Sequence, residues 1–318
     1  MSEGEKKMFI REIYTMKAPF RQELMIKGYS FGKGSKAACI LGPTRGNEIQ
    51  QMYVCSQLVR VLKELEANNC INSNKEILVI PVVNNYSMNE GKRFWGENNA
   101  DINRMFPGGR KGDAAFRIAD GVFKVIKEYS YGMQFTSFYM PGEFVPHVRM
   151  MATGYHNASL ANLFGLPYVL VKKPLPIDTT TLNYNWQSET TAAFSIYTNR
   201  TTQIDEDSAK QAVAAVLRFL KRMGVIKYES HSGYISHIIM EEELCSVRAS
   251  TGGIFKSLVK AGEDVRYKTA MAQIIDPYEG TVKEMITAPT DGIVFFTHTD
   301  PLIGQFDTAY QLIHRLHE

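Results

Sequence analysis

The sequence predicts an α/β fold, a mixed sheet with crossover helices, followed by a small all-β domain. Three observations carry this expectation. Two short apolar runs, KAACILGP at Lys36–Pro43 and KEILVIPVV at Lys75–Val83, flank a segment, Glu48–Ala67, whose apolar residues recur at helical spacing. The alternation then continues toward residue 223. After Gly224 it stops, and Gly, Thr and Val become frequent.

Each element has a local reason. The first run ends in Gly and Pro, which close a strand, and in the following segment Ile49, Met52, Val54, Leu58, Val59, Val61, Leu62 and Leu65 form one apolar stripe. Strand, helix and strand with short connections is the pattern of a parallel sheet crossed by helices. A helix over Asp113–Glu128, strands near Met133–Phe138 and Tyr168–Lys172, and a helix from about Asp205 to Met223 extend it. Beyond Gly224, short β-type runs are separated by turn signals about every 8–12 residues. VRASTGGIF (Val247–Phe255) is echoed by ITAPTDGIV (Ile286–Val294), and acidic loops follow each, GED at Gly262–Asp264 and TDP at Thr299–Pro301. Repeated hairpins of this kind build a small sandwich or barrel, as in the half-motifs of biotinyl and lipoyl carrier domains. The turn that would hold a modified lysine reads EGTV at Glu279–Val282, so the likeness is one of architecture. Two domains are expected, 1–228 and 229–318.

At 318 residues, 44% hydrophobic and 22% charged, the chain is long enough for one large core and one smaller. A net charge of +3, with no lysine and arginine stripe interleaved with aromatics, predicts no nucleic-acid footprint. Small molecules are the expected partners, and a homo-oligomer is open. The four cysteines (Cys39, Cys55, Cys70, Cys245) form no CxxC pair, and the charged start MSEGEKKMFIRE lacks the apolar stretch of a signal peptide. No run approaches the roughly 18 apolar residues of a membrane span. Reduced thiols and a cytoplasmic location follow as expectations. GKGSK at Gly32–Lys36 lacks the spacing and the preceding strand of a phosphate-binding loop.

The most informative stretch is RFWGENNADINRMFPGG, Arg93–Gly109. Asn103 and Arg104 stand side by side on a loop whose exit is fixed by a Pro-Gly turn. Such a fork suits a carboxylate, since arginine offers two parallel donors and asparagine a third. Taken alone, the pair reads more readily as a solvated loop whose arginine meets a neighbouring carboxylate.

GPTRGNE (Gly42–Glu48), VVNNYSMNEGKRFW (Val82–Trp95), DINRMFPG (Asp101–Gly108), PHVRM (Pro146–Met150) and AAFSIYTN (Ala192–Asn199) occur in an order that resembles the succinylglutamate desuccinylase and aspartoacylase family, relatives of the zinc carboxypeptidases. With the GGIF and APTDG turns the resemblance runs from about Phe31 to the C-terminus. It implies a zinc carboxypeptidase-like fold and a single zinc at the C-terminal edge of the sheet, where the metal activates water and polarises an amide carbonyl.

The resemblance also assigns residues, and most of the chemistry-bearing ones differ here. Of the first two ligands, Glu48 is kept and the histidine position is Arg45. On the strand MQFTSF, Ser137 stands at the third ligand's place and Phe135 at that of a neighbouring aspartate. No histidine lies between Ile10 and Pro146, so a shift of register does not restore the ligand. The general-base glutamate corresponds to Tyr197, a phenol whose ordinary pKa of about 10 makes it a poor proton acceptor at neutral pH. Arg93, Asn103 and Arg104 match the residues that face substrate. Among the seven histidines, His147 is the first choice for a relocated ligand, with His156 close by. Arg45 and Glu48, three residues apart, are expected to pair and to replace the zinc–carboxylate contact electrostatically.

Three functions compete on this reading: a protein that binds a carboxylate-bearing small molecule with zinc hydrolysis lost or altered, a zinc-dependent deacylase with a rearranged ligand set, and an interaction protein with a vestigial pocket. The aromatic group Tyr184, Trp186 and Phe194 either lines a pocket mouth or forms the core under a loop.

Overall fold

The computed structural model describes residues 8–17, 19, 22–138, 140–155 and 157–314. In chain order the first region runs β1 (Phe9–Met16), β2 (Leu24–Gly32), β3 (Ser35–Leu41), α1 (Ile49–Ala67), β4 (Lys75–Ile80), α2 (Asn85–Asn89) and α3 (Ala114–Ile126). It continues with β5 (Tyr131–Phe135), β6 (Gly142–Phe144), β7 (His147–Met151), α4 (Ala158–Asn162), β8 (Tyr168–Lys172), α5 (Leu182–Ser188), β9 (Ala192–Tyr197), α6 (Glu206–Arg222) and β10 (His237–Met240).

Nine of these strands form one mixed sheet in the order β1-β2-β4-β3-β5-β9-β7-β8-β10. The centre, β4-β3-β5-β9, is parallel. Its strands are buried almost end to end, as parallel strands covered on both faces must be, and that is why they read in the sequence as unbroken apolar runs. Residues of α1, α4 and α6 pack into the core on one face, while α3 and α5 close the other around Trp95 and Trp186. Phe194 packs into the first core, edge-on to Phe164 and tilted to Phe219, and buried Trp186 donates to the Ile126 carbonyl, so both aromatics are core.

The helix ends carry their own signals. Asp113 accepts from Phe116 N at 2.8 Å to cap α3, and Asp205 accepts from Ser208 N at 2.7 Å to cap α6. In α6, Glu206 and Asp207 sit in the first turn and Lys221 and Arg222 in the last, each sign where the helix dipole favours it.

The C-terminal region comprises β11 (Leu244–Arg248), β12 (Gly253–Ser257), β13 (Asp264–Val265), β14 (Ala270–Ile275), β15 (Val282–Thr287), β16 (Gly292–His298), β17 (Leu302–Ile303) and β18 (Thr308–His314). These make two sheets, β11-β18-β16-β13 and β15-β14-β12-β17. The sequence echo maps onto this: β11 to β12 passes from the first sheet to the second, and β15 to β16 passes back.

The two regions interleave. β10, beyond residue 228, pairs in parallel with β8 and completes the large sheet, whereas β6 pairs with β16 of the C-terminal sheet. The compositional change after Gly224 therefore marks the last long helix and lies ahead of the last strand of the sheet. No described helix is long and apolar enough to cross a membrane.

Candidate functional site

The site lies where open α/β sheets place ligands, beyond the carboxyl ends of the parallel strands. The loop after β3 supplies Arg45 and Glu48, the chain leaving β5 supplies Ser137, and Tyr197 ends β9. Gly46 fixes the first loop by close approach: a β-carbon there would stand 2.3 Å from the Lys92 carbonyl oxygen. Its amide donates to the Arg93 carbonyl at 2.9 Å, which ties Arg45 to the segment carrying the DINR motif.

Arg45 and Glu48 are shut off from solvent, with side chains 4% and 0% exposed. Glu48 Oε1 accepts from Ser137 N at 2.9 Å and Ser137 Oγ at 2.7 Å, and stands 3.4 Å from Arg45 Nη1. Its other oxygen accepts from the Arg45 amide at 3.2 Å. The Arg45 guanidinium donates Nη1 to the Ser137 carbonyl at 2.9 Å and presents Nε and Nη2 to Asp101 at 3.1 and 2.8 Å, a two-pronged fork. Burial opposes the charge of Arg45, but Glu48 and Asp101 outweigh it and hold the pKa above the ordinary value.

Beside this centre is a cavity of about 70 Å³ lined by residues that include Arg45, Asn103, Arg104, Ser137, Phe138 and Tyr197. Asn103 Oδ1 accepts from Gln134 Nε2 at 2.8 Å, and Arg104 donates to the Ile177 carbonyl at 3.0 Å. The nearest carboxylate to Arg104, Asp101, is 3.9 Å away and already serves Arg45. Arg149 enters from β7, pairs with Glu241 at 2.8 Å, and lies 4.7 Å over the ring of Phe138 and 5.3 Å over that of Tyr197. At the far side Lys172 pairs with Asp178 at 2.8 Å. Two buried atoms of this lining, Arg149 Nε and Asn183 Oδ1, have no hydrogen-bond partner among the described residues. Such groups ask for a bound polar molecule.

An adjoining cleft of about 710 Å³ opens between the large sheet and the C-terminal region, lined by Arg93, Arg200, Lys260 and His298 among others. Arg93 donates Nη2 to the Phe138 carbonyl at 2.8 Å; burial, then the nearby charge of Arg45, lower its pKa. His147 lines neither space. It is stacked on Tyr197 at 4.8 Å, walled by Phe144 and Phe295, with Nδ1 at 2.8 Å from the Val145 carbonyl oxygen. Burial and then Arg149 push its pKa down to about 3. His156 lies outside the described residues.

A divalent cation does not fit this donor set. Zinc needs about three protein ligands in a catalytic site. Glu48 is the one matching ligand, its two oxygens are engaged by Ser137 and Arg45, and a guanidinium stands beside it. Among the described residues no group of three or more His, Cys, Asp or Glu is arranged to hold a metal.

The large mixed sheet, its site at the strand ends and the appended all-β sheets define a zinc carboxypeptidase-like deacylase fold. The model of the succinylglutamate desuccinylase/aspartoacylase catalytic domain matches residues 35–223, and the chain belongs to that family. Among curated protein sequences none matches the chain. A succinylglutamate desuccinylase from a Silicibacter species is similar with a TM-score of 0.81 over 98% of this chain and 96% of its own, at 17% identity. The ectoine utilization protein EutE from Ruegeria pomeroyi, in its product-bound structure, gives 0.81 over 98% and 97%, at 16% identity. A succinylglutamate desuccinylase/aspartoacylase from Rhodobacter sphaeroides gives 0.76 over 92% and 89%, at 19% identity. At these identities the likeness speaks for the fold.

The structure brings together Arg45, Glu48, Ser137, Tyr197, Asn103 and Arg104, and leaves Arg93 and His147, which neighbour them, outside the lining of the inner cavity. Sequence reasoning gave no role to Asp101 or Arg149. Asp101 carried a signal, as an acidic residue just ahead of the short helical turn Ile102–Arg104, where its Oδ1 caps the Asn103 amide at 3.0 Å. Arg149 carried one too: a charge inside the apolar strand HVRMM requires a partner.

Proposed function

We propose that this family member binds a small-molecule carboxylate in the cavity beside Arg104 and has exchanged the metal centre for a fixed internal ion cluster. The single observation that supports this most is the saturation of Glu48: the carboxylate that would hold a metal is spent on Ser137 and Arg45. The charges agree. Three guanidiniums, Arg45, Arg93 and Arg104, stand near two carboxylates, Glu48 and Asp101, so the surroundings carry one net positive charge, which Arg93 contributes from the outer cleft. Arg149 and Lys172 are already paired, with Glu241 and Asp178.

Arg104 is the anchor in this reading. It is part-exposed, weakly paired and adjacent to Asn103, so a carboxylate gains a charge-assisted contact there without displacing a stronger one. Isothermal titration with simple carboxylates tests it. The expected result is saturable binding that weakens at least ~10-fold in Arg104→Ala, the loss of one hydrogen bond to a charged group. Unchanged affinity in that variant contradicts the assignment.

A further inference from the structure

Asn103, Arg104 and Arg93, expected to meet one anion, do not share one space. The first two line the small inner cavity and Arg93 the large outer cleft, while Phe138 lines both. The ring of Phe138 is held from several sides. Phe144 meets it edge-on at 5.3 Å, Phe296 lies at 6.5 Å, and the Arg149 guanidinium covers its face at 4.7 Å. Its carbonyl accepts from Arg93 at 2.8 Å, so the backbone is fixed as well.

We propose that Phe138 is a specificity-determining partition: it confines the ligand of the inner cavity to one carboxylate by denying a second acidic group the cations of the outer cleft. The proposal rests on the carboxylate reading of the inner cavity. At about 70 Å³ that cavity has the volume of roughly two waters, enough for a carboxylate and little more. The outer cleft, about 710 Å³, is of the size that holds whole small molecules and contains Arg93, which has no carboxylate within ion-pair distance among the described residues. Phe138 is the residue the two linings share, so a diacid anchored at Arg104 meets Phe138 between it and the cleft that holds Arg93.

Butyrate and succinate provide the test, since they share a carbon count and differ by one carboxylate. In calorimetric titrations of the full chain at fixed ionic strength, the two are expected to bind within ~3-fold of each other. Phe138→Ala joins the two spaces, and succinate should then bind at least ~10-fold more tightly than butyrate, the worth of one added charge-assisted contact. Adding Arg93→Gln to that variant should abolish the preference. Phe138→Leu, which keeps most of the apolar contacts, is expected to give an intermediate ratio and serves if the alanine variant does not fold. A wild-type preference for succinate of ~10-fold or more overturns the partition, as does a folded Phe138 variant with no gain. Failure of the wild type to bind either acid would instead remove the carboxylate reading itself, and the partition with it.

Discussion

At the scale of single residues, the site is decided by one guanidinium. Arg45 satisfies Glu48, the part-buried Asp101 and the Ser137 carbonyl at once, with Arg45 and Glu48 themselves shut off from water. Removing one member of a buried ion cluster leaves its partners charged and unpaired, which costs about 3–5 kcal/mol. Arg45→Met is therefore expected to lower the unfolding free energy by that amount in urea titrations at pH 7. Ser137→Ala, which removes one hydroxyl from Glu48, should cost less, about 1.5–3 kcal/mol. His147 gives a pH-dependent expectation. Unfolded, its imidazole takes up a proton near 6.5; buried among aromatic rings, only near 3. Between those values the unfolded chain binds the extra proton, so the contribution of His147 to stability is fully present above about 6.5 and declines by up to about 1.4 kcal/mol per pH unit as the pH falls. Comparing wild type with His147→Leu from pH 7 to pH 4 isolates this slope, and a difference independent of pH contradicts it.

At the scale of elements, the parallel centre of the sheet was legible because strands buried on both faces must be written in apolar residues, and β3 and β4 coincide with such runs, as does β8 outside the centre. The insertion of β7 between β9 and β8, antiparallel to the first and parallel to the second, was not legible, since no local signal sets the partner of a strand. Nor was β6, three residues whose pairing with β16 depends on the C-terminal region being in place. The helix caps are readable and testable. Asp205→Ala should cost about 1 kcal/mol, while Asp205→Asn retains most of the cap. The Ser208 amide holds the Asp205 carboxyl below its usual value, so the deficit of the alanine variant is complete at pH 7 and shrinks as the pH falls through that lowered pKa.

At the scale of the molecule, the family resemblance predicted which loops meet, and Arg45, Glu48 and Ser137 do meet, although Ser137 and Glu48 are 89 residues apart in sequence. The expected pairing of Arg45 with Glu48 is present at 3.4 Å, but the fork from Arg45 to Asp101 was not foreseen, because it joins positions 56 apart and depends on side-chain geometry that a motif does not encode. For the same reason the division of Arg93 from Arg104 by Phe138 appears only in three dimensions. In the proposed reading the molecule keeps the sheet and the strand-end site of its family, and Arg45 fills the metal position from within. The most direct measurement is the zinc content, by mass spectrometry of the element, of full-length chain dialysed against a modest excess of zinc and then desalted. An internal guanidinium at the metal position predicts less than about 0.1 zinc per chain, in both wild type and Glu48→Gln; close to one zinc per chain, lost in Glu48→Gln, would contradict it.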